Sequence, residues 1–251
     1  MYKWIFLALF AGAVYFHSAE TNQYRKIRDI LPEAAGVPVQ TELDGNARPV
    51  RCSAGGYEWE MTPLYNYEAT AFVFGVSHNA LSGQKGLVPA DLGLLWGDNA
   101  RHKYYRNVKL RVMLNHYSVS WKGKRLFNMH AAANTHCATC DSATAAKLRA
   151  VAPGDQIRIR GRLINAKIFK EGSATPMTWN TSVTRNDTGE GSCELLYVAA
   201  PQDVEILKPA TRFNKYMFRF CAWAIPALGA FLFIRQYRQA KKLVEELHRL
   251  P

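Results

Sequence analysis

Apolar and polar residues alternate most clearly over residues 153–198. After the turn Pro153-Gly154-Asp155, Ile157, Ile159, Gly161 and Leu163 interleave with Arg158, Arg160 and Arg162. A period of two predicts a strand with one buried and one wet face. A second β-rich run covers residues 179–184. A polar, glycine-containing turn over 186–191 then leads into a third run, 193–198. Three consecutive strands joined by turns predict an antiparallel meander, part of a small antiparallel barrel or sandwich. The Gly-Asp turn, its strand and the following Gly-x-Leu also suit an OB-like barrel of the oligonucleotide/oligosaccharide-binding type, where a glycine eases a barrel corner.

Upstream, strands begin near Tyr57 and continue over 69–77. Residues 108–117 and 118–121 read as strands broken at the turn Lys122-Gly123-Lys124. Two short helices are expected. One covers 90–96, with Asp91 in its first turn, where a carboxylate suits the helix dipole. The other covers 142–151, with Asp141 or Ser142 as its N-cap. Residues 20–56, polar with scattered proline and glycine, read as a helix start followed by an extended linker. The fold class is therefore mainly β with one or two short helices.

Both ends carry long apolar runs. Residues 220–234 are wholly apolar and cover about 22 Å as a helix. A bilayer core is about 30 Å thick, so residues 216–218 join the span and Arg219 snorkels to the head groups. Arg235, Arg238, Lys241 and Lys242 follow directly, a positive-inside signal that puts the C-terminus in the cytoplasm. Residues 4–16 form a second run behind Lys3, either a signal peptide or a short anchor. A signal cleavage site needs two small residues before the cut, and the best candidate, His17-Ser18-Ala19, offers histidine at one of them. An uncleaved anchor is therefore expected, giving two terminal transmembrane helices. Arg25, Lys26 and Arg28 run against this orientation, and the stronger C-terminal cluster decides it.

The organisation expected is an anchor or signal-like segment over 1–19, a linker over 20–56, and an extracytoplasmic β-rich domain over 57–213. A transmembrane helix over 214–235 and a basic helical tail over 236–251 complete it. The address is a bacterial inner membrane with the main domain periplasmic. The net charge of +12 would favour contact with anionic head groups or an anionic envelope polymer, but charge alone gives no specificity and a solvated basic surface accounts for it as well. The partners expected are the membrane and an envelope protein or anionic polymer, and nucleic acid is not expected.

The densest polar cluster lies between His130 and Asp141 and contains Cys137-Ala-Thr-Cys140. Haem attachment needs histidine directly after the second cysteine, and Asp141 stands there. His130, His136, Cys137 and Cys140 would suit zinc by donor type, although adjacent His136 and Cys137 would have to turn onto one ion. The oxidising address favours a Cys137–Cys140 disulfide, inert or redox-active, with Cys52–Cys193 as a second bridge. No cofactor is expected, and zinc is the alternative. Arg185, Asp187 and Glu194 around the last turn suggest an ion pair pinning a hairpin, or a carboxylate pair for hydrolysis. Gly-x-Ser-x-Gly, Walker, His-Glu-x-x-His and Gly-x-Gly-x-x-Gly signatures are absent from the sequence.

These residues carry a resemblance. Leu87-Val88-Pro89-Ala90-Asp91-Leu92 runs to Trp96-Gly97, and Asn134-Thr135-His136 follows. Next comes the Gly-Asp-x-Ile-x-Ile-x-Gly-x-Leu of residues 154–163, then the Ser-x-x-Arg-x-Asp-Thr-Gly-x-Gly-x-Cys-Glu of residues 182–194. From about residue 72 to 204 the chain resembles a group of uncharacterised bacterial exported or membrane-anchored proteins. It departs from the group at Cys137 and Cys140, where apolar residues and proline are expected. The resemblance implies an envelope address and this architecture. The candidate ligand-binding residues are Trp96, His130, Asn134, His136, Arg185, Asp187 and Glu194. The function expected is a membrane-anchored, non-enzymatic binding or assembly module of the envelope. The alternative is a periplasmic metal- or thiol-dependent enzyme using His130, His136, Cys137 and Cys140.

Overall fold

The computed structural model describes residues 2–45, 47–54, 56–78, 87–113, 116–121, 123, 126–173, 175–184 and 192–247. Two units form: residues 23–210, and the terminal segments 1–22 with 211–251.

Residues 23–210 build a mixed sheet. Its strands are β1 (Val39–Glu42), β2 (Val50–Ala54), β3 (Tyr57–Ser77), β4 (Ala90–Leu95), β7 (Ala132–Ala138), β8 (Gln156–Lys170), β9 (Met177–Trp179), β10 (Glu194–Tyr197) and β11 (Val204–Lys208). A separate hairpin pairs β5 (Val108–Val112) with β6 (Tyr117–Trp121). The helices are short: α2 (Gly97–Arg101), and α3 (Ser142–Ala150) between β7 and β8. Strand β3 pairs antiparallel with both β4 and β8. Strand β4 pairs with β7, β7 runs parallel to β10, and β10 pairs with β8. The pairings thus return to β3.

The side chains enclosed by this circuit form one core. Ala69, Ala71 and Val73 of β3, Leu92 and Leu94 of β4, Cys137 of β7, Ile157, Ile159 and Leu163 of β8, and Leu196 of β10 are all buried in it. Leu148 of α3 joins them. Helix α3 starts where the sequence predicts: Asp141 accepts hydrogen bonds from the Thr144 amide and hydroxyl, both at 2.7 Å, satisfying a first-turn donor.

Two further cores cover the opposite face. Phe72, Phe74, Leu95, Tyr105, Val108 and Leu110 make one, under the β5–β6 hairpin. Trp59, Met61, Ile164, Ala166, Ile168 and Leu195 make the other. Strand β3 serves both sides of the sheet because its register against β8 slips between Pro63 and Tyr65. A bulge there inserts one residue and reverses which alternate side chains face inward.

Gly161 marks the closest approach of β8 and β10. A Cβ at this position would lie 2.3 Å from the Tyr197 carbonyl oxygen. Gly161→Ala is therefore expected to force the two strands apart and destabilise the domain by about 1–3 kcal/mol. A shift of the urea midpoint at unchanged slope would report this loss.

Several expectations are corrected. Residues 90–95 are a strand rather than a helix. Both faces are buried, so the stretch reads as a continuous apolar run that periodicity cannot separate from a helix. The β5–β6 hairpin connects residues 112 and 117, within the expected 108–117 strand, and Lys122 and Lys124 of the expected turn lie outside the described residues. The last strands are not a simple meander, because β10 lies parallel to β7. The expected second strand is reduced to β9, and residues 180–184 join no ladder.

Residues 23–56 are not a free linker either. Tyr24 is buried and accepts a hydrogen bond from the Leu110 amide at 2.8 Å, and β1 and β2 both pair with β3.

The terminal unit contains α1 (Tyr2–Thr21) and α4 (Phe213–Leu247). Among the described residues one helix is long and apolar enough to cross a membrane. It is the 29-residue stretch Phe213–Lys241 of α4, with a mean hydropathy of 1.8. Its Trp223 and Phe233 are 76 % and 70 % exposed, as lipid-facing aromatic side chains would be.

Candidate active site

A carboxylate in the middle of Ala90-Asp-Leu-Gly-Leu-Leu95 must find a partner, because an unpaired buried charge is costly. Strand pairing supplies one. Asp91 of β4 is opposite His136 of β7, so both side chains leave the same face of the sheet. The Asp91 Oδ1 to His136 Nδ1 distance is 2.8 Å, and both residues are buried. A carboxylate can only accept, so Nδ1 donates and Nε2 is left for a second partner.

That partner is Cys193. Because β10 runs parallel to β7 with Glu194 beside Thr135, the residue before β10 falls beside Asn134 on the outer face. Its thiol is half-buried and hydrogen-bonds the His136 side chain. Two residues after β9 hold Cys193 and the start of β10 in place. The Ser182 amide donates to the Cys193 carbonyl at 3.0 Å, and the Thr181 hydroxyl accepts from the Leu195 amide at 2.9 Å.

Two aromatic side chains border the line. Trp179 of β9 meets the His136 ring edge-on, with centroids 4.7 Å apart. Tyr117 of β6 lies across from the sulfur and donates to the Met129 carbonyl at 3.1 Å. Burial, and then the proximity of Cys193, pushes the Tyr117 phenol up to about 12, so it stays protonated.

Desolvation alone would lower the basicity of His136. The hydrogen bond to Asp91, the contact with Cys193 and the attraction of both partners outweigh it, and the pKa is pushed up to about 9. An oriented imidazole between a carboxylate and a thiol is the arrangement that activates a sulfur nucleophile and shuttles its proton. The three groups form a relay and not a cage. Among the described residues no three His, Cys, Asp or Glu side chains are disposed to share a metal ion.

The other sequence candidates disperse. Cys137, next to His136, points to the opposite side of β7 and is buried in the inner core. Trp96 is in that core too. Glu194 is buried and accepts from the Thr135 hydroxyl at 3.3 Å. His130 lies on a short turn before β7, its amide donating to the Asn128 side chain at 2.9 Å. Arg185 and Asp187 fall outside the described residues.

Both expected disulfide pairings are replaced by Cys52–Cys140, with Cα atoms 6.1 Å apart. Cys137 cannot reach Cys140 because strand alternation turns it inward, and Cys193 is engaged by His136. The metal set His130, His136, Cys137 and Cys140 therefore does not assemble: two members face opposite sides of one strand and a third is bonded to Cys52.

Sequence reasoning found His136 and Asn134 but gave Asp91 and Cys193 other roles. The available signal was a lone acid within an apolar run, which as a strand places a carboxylate in the interior.

No protein-family model, curated protein or solved structure matches the chain.

Proposed function

We propose that this chain is a membrane-anchored, thiol-dependent enzyme of the bacterial envelope that carries out acyl transfer. Cys193 is the nucleophile, His136 the group that carries the sulfur's proton as its imidazolium partner and then acts as general acid, and Asp91 the group that orients the imidazole. The observation that carries this is the buried line from Asp91 through His136 to the half-exposed Cys193. A carboxylate–imidazole–thiol series supports nucleophilic attack on an acyl carbon on unrelated folds, because the roles depend on geometry and not on chain order.

The scaffold reading is an OB-like barrel. In chain order β3, β4, β7, β8 and β10 would be its strands one to five, with strand three parallel to strand five and α3 between strands three and four. The anchor reading is two transmembrane helices. Helix α1 is long enough to span about 30 Å. Gly12 lets it approach Cys221 of α4 closely, and Phe16 packs on Phe213. Tyr2 meets Arg235, which gathers Lys3, Arg235 and Arg238 at one end. That grouping supports both termini in the cytoplasm and the domain in the periplasm, as does the resemblance to exported proteins.

Full-length protein in detergent, treated briefly with iodoacetamide at neutral pH, is expected to label first at Cys193. His136→Ala should slow that labelling by about 10²-fold, the scale of a lost proton-transfer partner. Equal rates in the two proteins would defeat the enzyme reading and leave the envelope-binding module in its place. Alkaline phosphatase fused after Val198 should be active, and fused after Leu247 inactive.

A further inference from the structure

One polar side chain beside the relay is not explained by it. Asn134 is two residues before His136 on β7, so both side chains leave the same face. It is 1 % exposed, and among the described residues neither Oδ1 nor Nδ2 has a hydrogen-bond partner. Leaving one such group unpaired costs about 1–3 kcal/mol, so a carboxamide with both ends unpaired contributes nothing to the fold.

The sheet fixes its neighbours. Across β4 the paired residue is Gly93, which has no side chain to satisfy the amide. None fits there, because a Cβ on Gly93 would lie 2.5 Å from the Phe74 ring and from Val112. On the other side, the register of β10 sets Cys193 beside Asn134, one strand spacing of about 4.8 Å away. The carboxamide is thus held beside the sulfur, buried and, among the described residues, without a hydrogen-bond partner.

We propose that the Asn134 carboxamide is the oxyanion-binding group of this site, donating its Nδ2–H to the oxygen of an acyl group under attack by Cys193. This rests on the thiol-enzyme reading and extends it to a carbonyl-containing substrate class, esters, thioesters or amides. In the step, the sulfur electron pair forms the C–S bond, the carbonyl π pair moves onto oxygen, and the thiol proton is held on His136. Collapse of the tetrahedral species breaks the bond to the leaving group, which takes that proton. Water then attacks the thioester through the same oxyanion, with His136 accepting its proton and returning one to the sulfur. A donor of this kind, desolvated beforehand, favours the charged intermediate over the neutral carbonyl.

Two probes of the same sulfur separate this role from a structural one. p-Nitrophenyl acetate acylates Cys193 through an oxyanion, whereas iodoacetamide alkylates it by displacement at a saturated carbon and forms none. In full-length protein, Asn134→Ala and Asn134→Leu should slow acylation by about 10²-fold. Both variants should leave the alkylation rate close to the unsubstituted value, and Asn134→Leu, which removes two unpaired buried polar atoms, should not lower the melting temperature. Equal losses with both probes would mark Asn134 as structural, and no loss with either would remove it from the site. Both outcomes overturn the proposal while the thiol-enzyme reading stands. If the unsubstituted protein forms no acetyl adduct at Cys193 by mass spectrometry, both readings fall.

Discussion

Asp91→Asn is expected to destabilise the domain by about 3–5 kcal/mol near pH 6, the usual cost of removing one partner from a buried ion pair. The loss has a defined pH dependence. His136 has a folded-state pKa raised to about 9, against an ordinary value of about 6.5. The stabilisation from its proton is fully present below about pH 6.5 and is lost as pH rises through about 9. Without the Asp91 charge, burial opposes the imidazolium and only Cys193 is left to favour it, so the proton stabilises the fold less as pH falls. Urea unfolding of the two proteins should therefore differ most near pH 6 and converge towards pH 9.5. A constant gap across that range would mean that Asp91 acts through packing and not through the charge of His136. The relay thus predicts stability as well as reactivity, which a cysteine and histidine adjacent by chance would not.

The second large effect concerns Cys52–Cys140, which closes a loop of 88 residues. A cross-link of that length restricts the unfolded chain, and its removal is expected to cost about 2–4 kcal/mol. In the double variant Cys52→Ser/Cys140→Ser the melting temperature should fall by roughly 5–15 °C. Thiol mapping supplies an independent check. Under native conditions alkylation should modify Cys193 and spare Cys52 and Cys140 until a reductant is added. Cys137, whose thiol burial pushes up, should react only on unfolding. Recovery of a Cys137–Cys140 or Cys52–Cys193 peptide would overturn the pairing.

What the sequence disclosed follows from where its signals were local. The alternation of Ile157, Ile159 and Leu163 against three arginines, the Asp141 cap and the apolar stretch ahead of Arg235 each depend on a few neighbouring residues, and each appears in the structure. Residues 90–95 were misjudged because a strand buried on both faces loses its alternation. The relay was legible only in its middle member. Asp91, His136 and Cys193 meet through one antiparallel and one parallel strand pairing, and no short-range pattern encodes a register between strands that far apart. The expected disulfides failed for a related reason. Spacing in the chain says how close two cysteines can come, whereas the side of the strand each occupies decides whether they meet.

If the domain is exported as proposed, the alternation of β7 also bears on how the chain would mature. Cys52 emerges first in a vectorial passage, and the next two thiols to arrive, Cys137 and Cys140, are only three positions apart. Entropy scarcely distinguishes them as partners, so the earliest oxidation product is set by encounter and not by fit. Bonding to Cys137 would drag an inward-facing position of β7 to the outside and leave His136 facing the inner core. Only the bond to Cys140 is compatible with the register that presents the imidazole to Cys193. A chain bridged through Cys137 would therefore lack the register that brings His136 to Cys193.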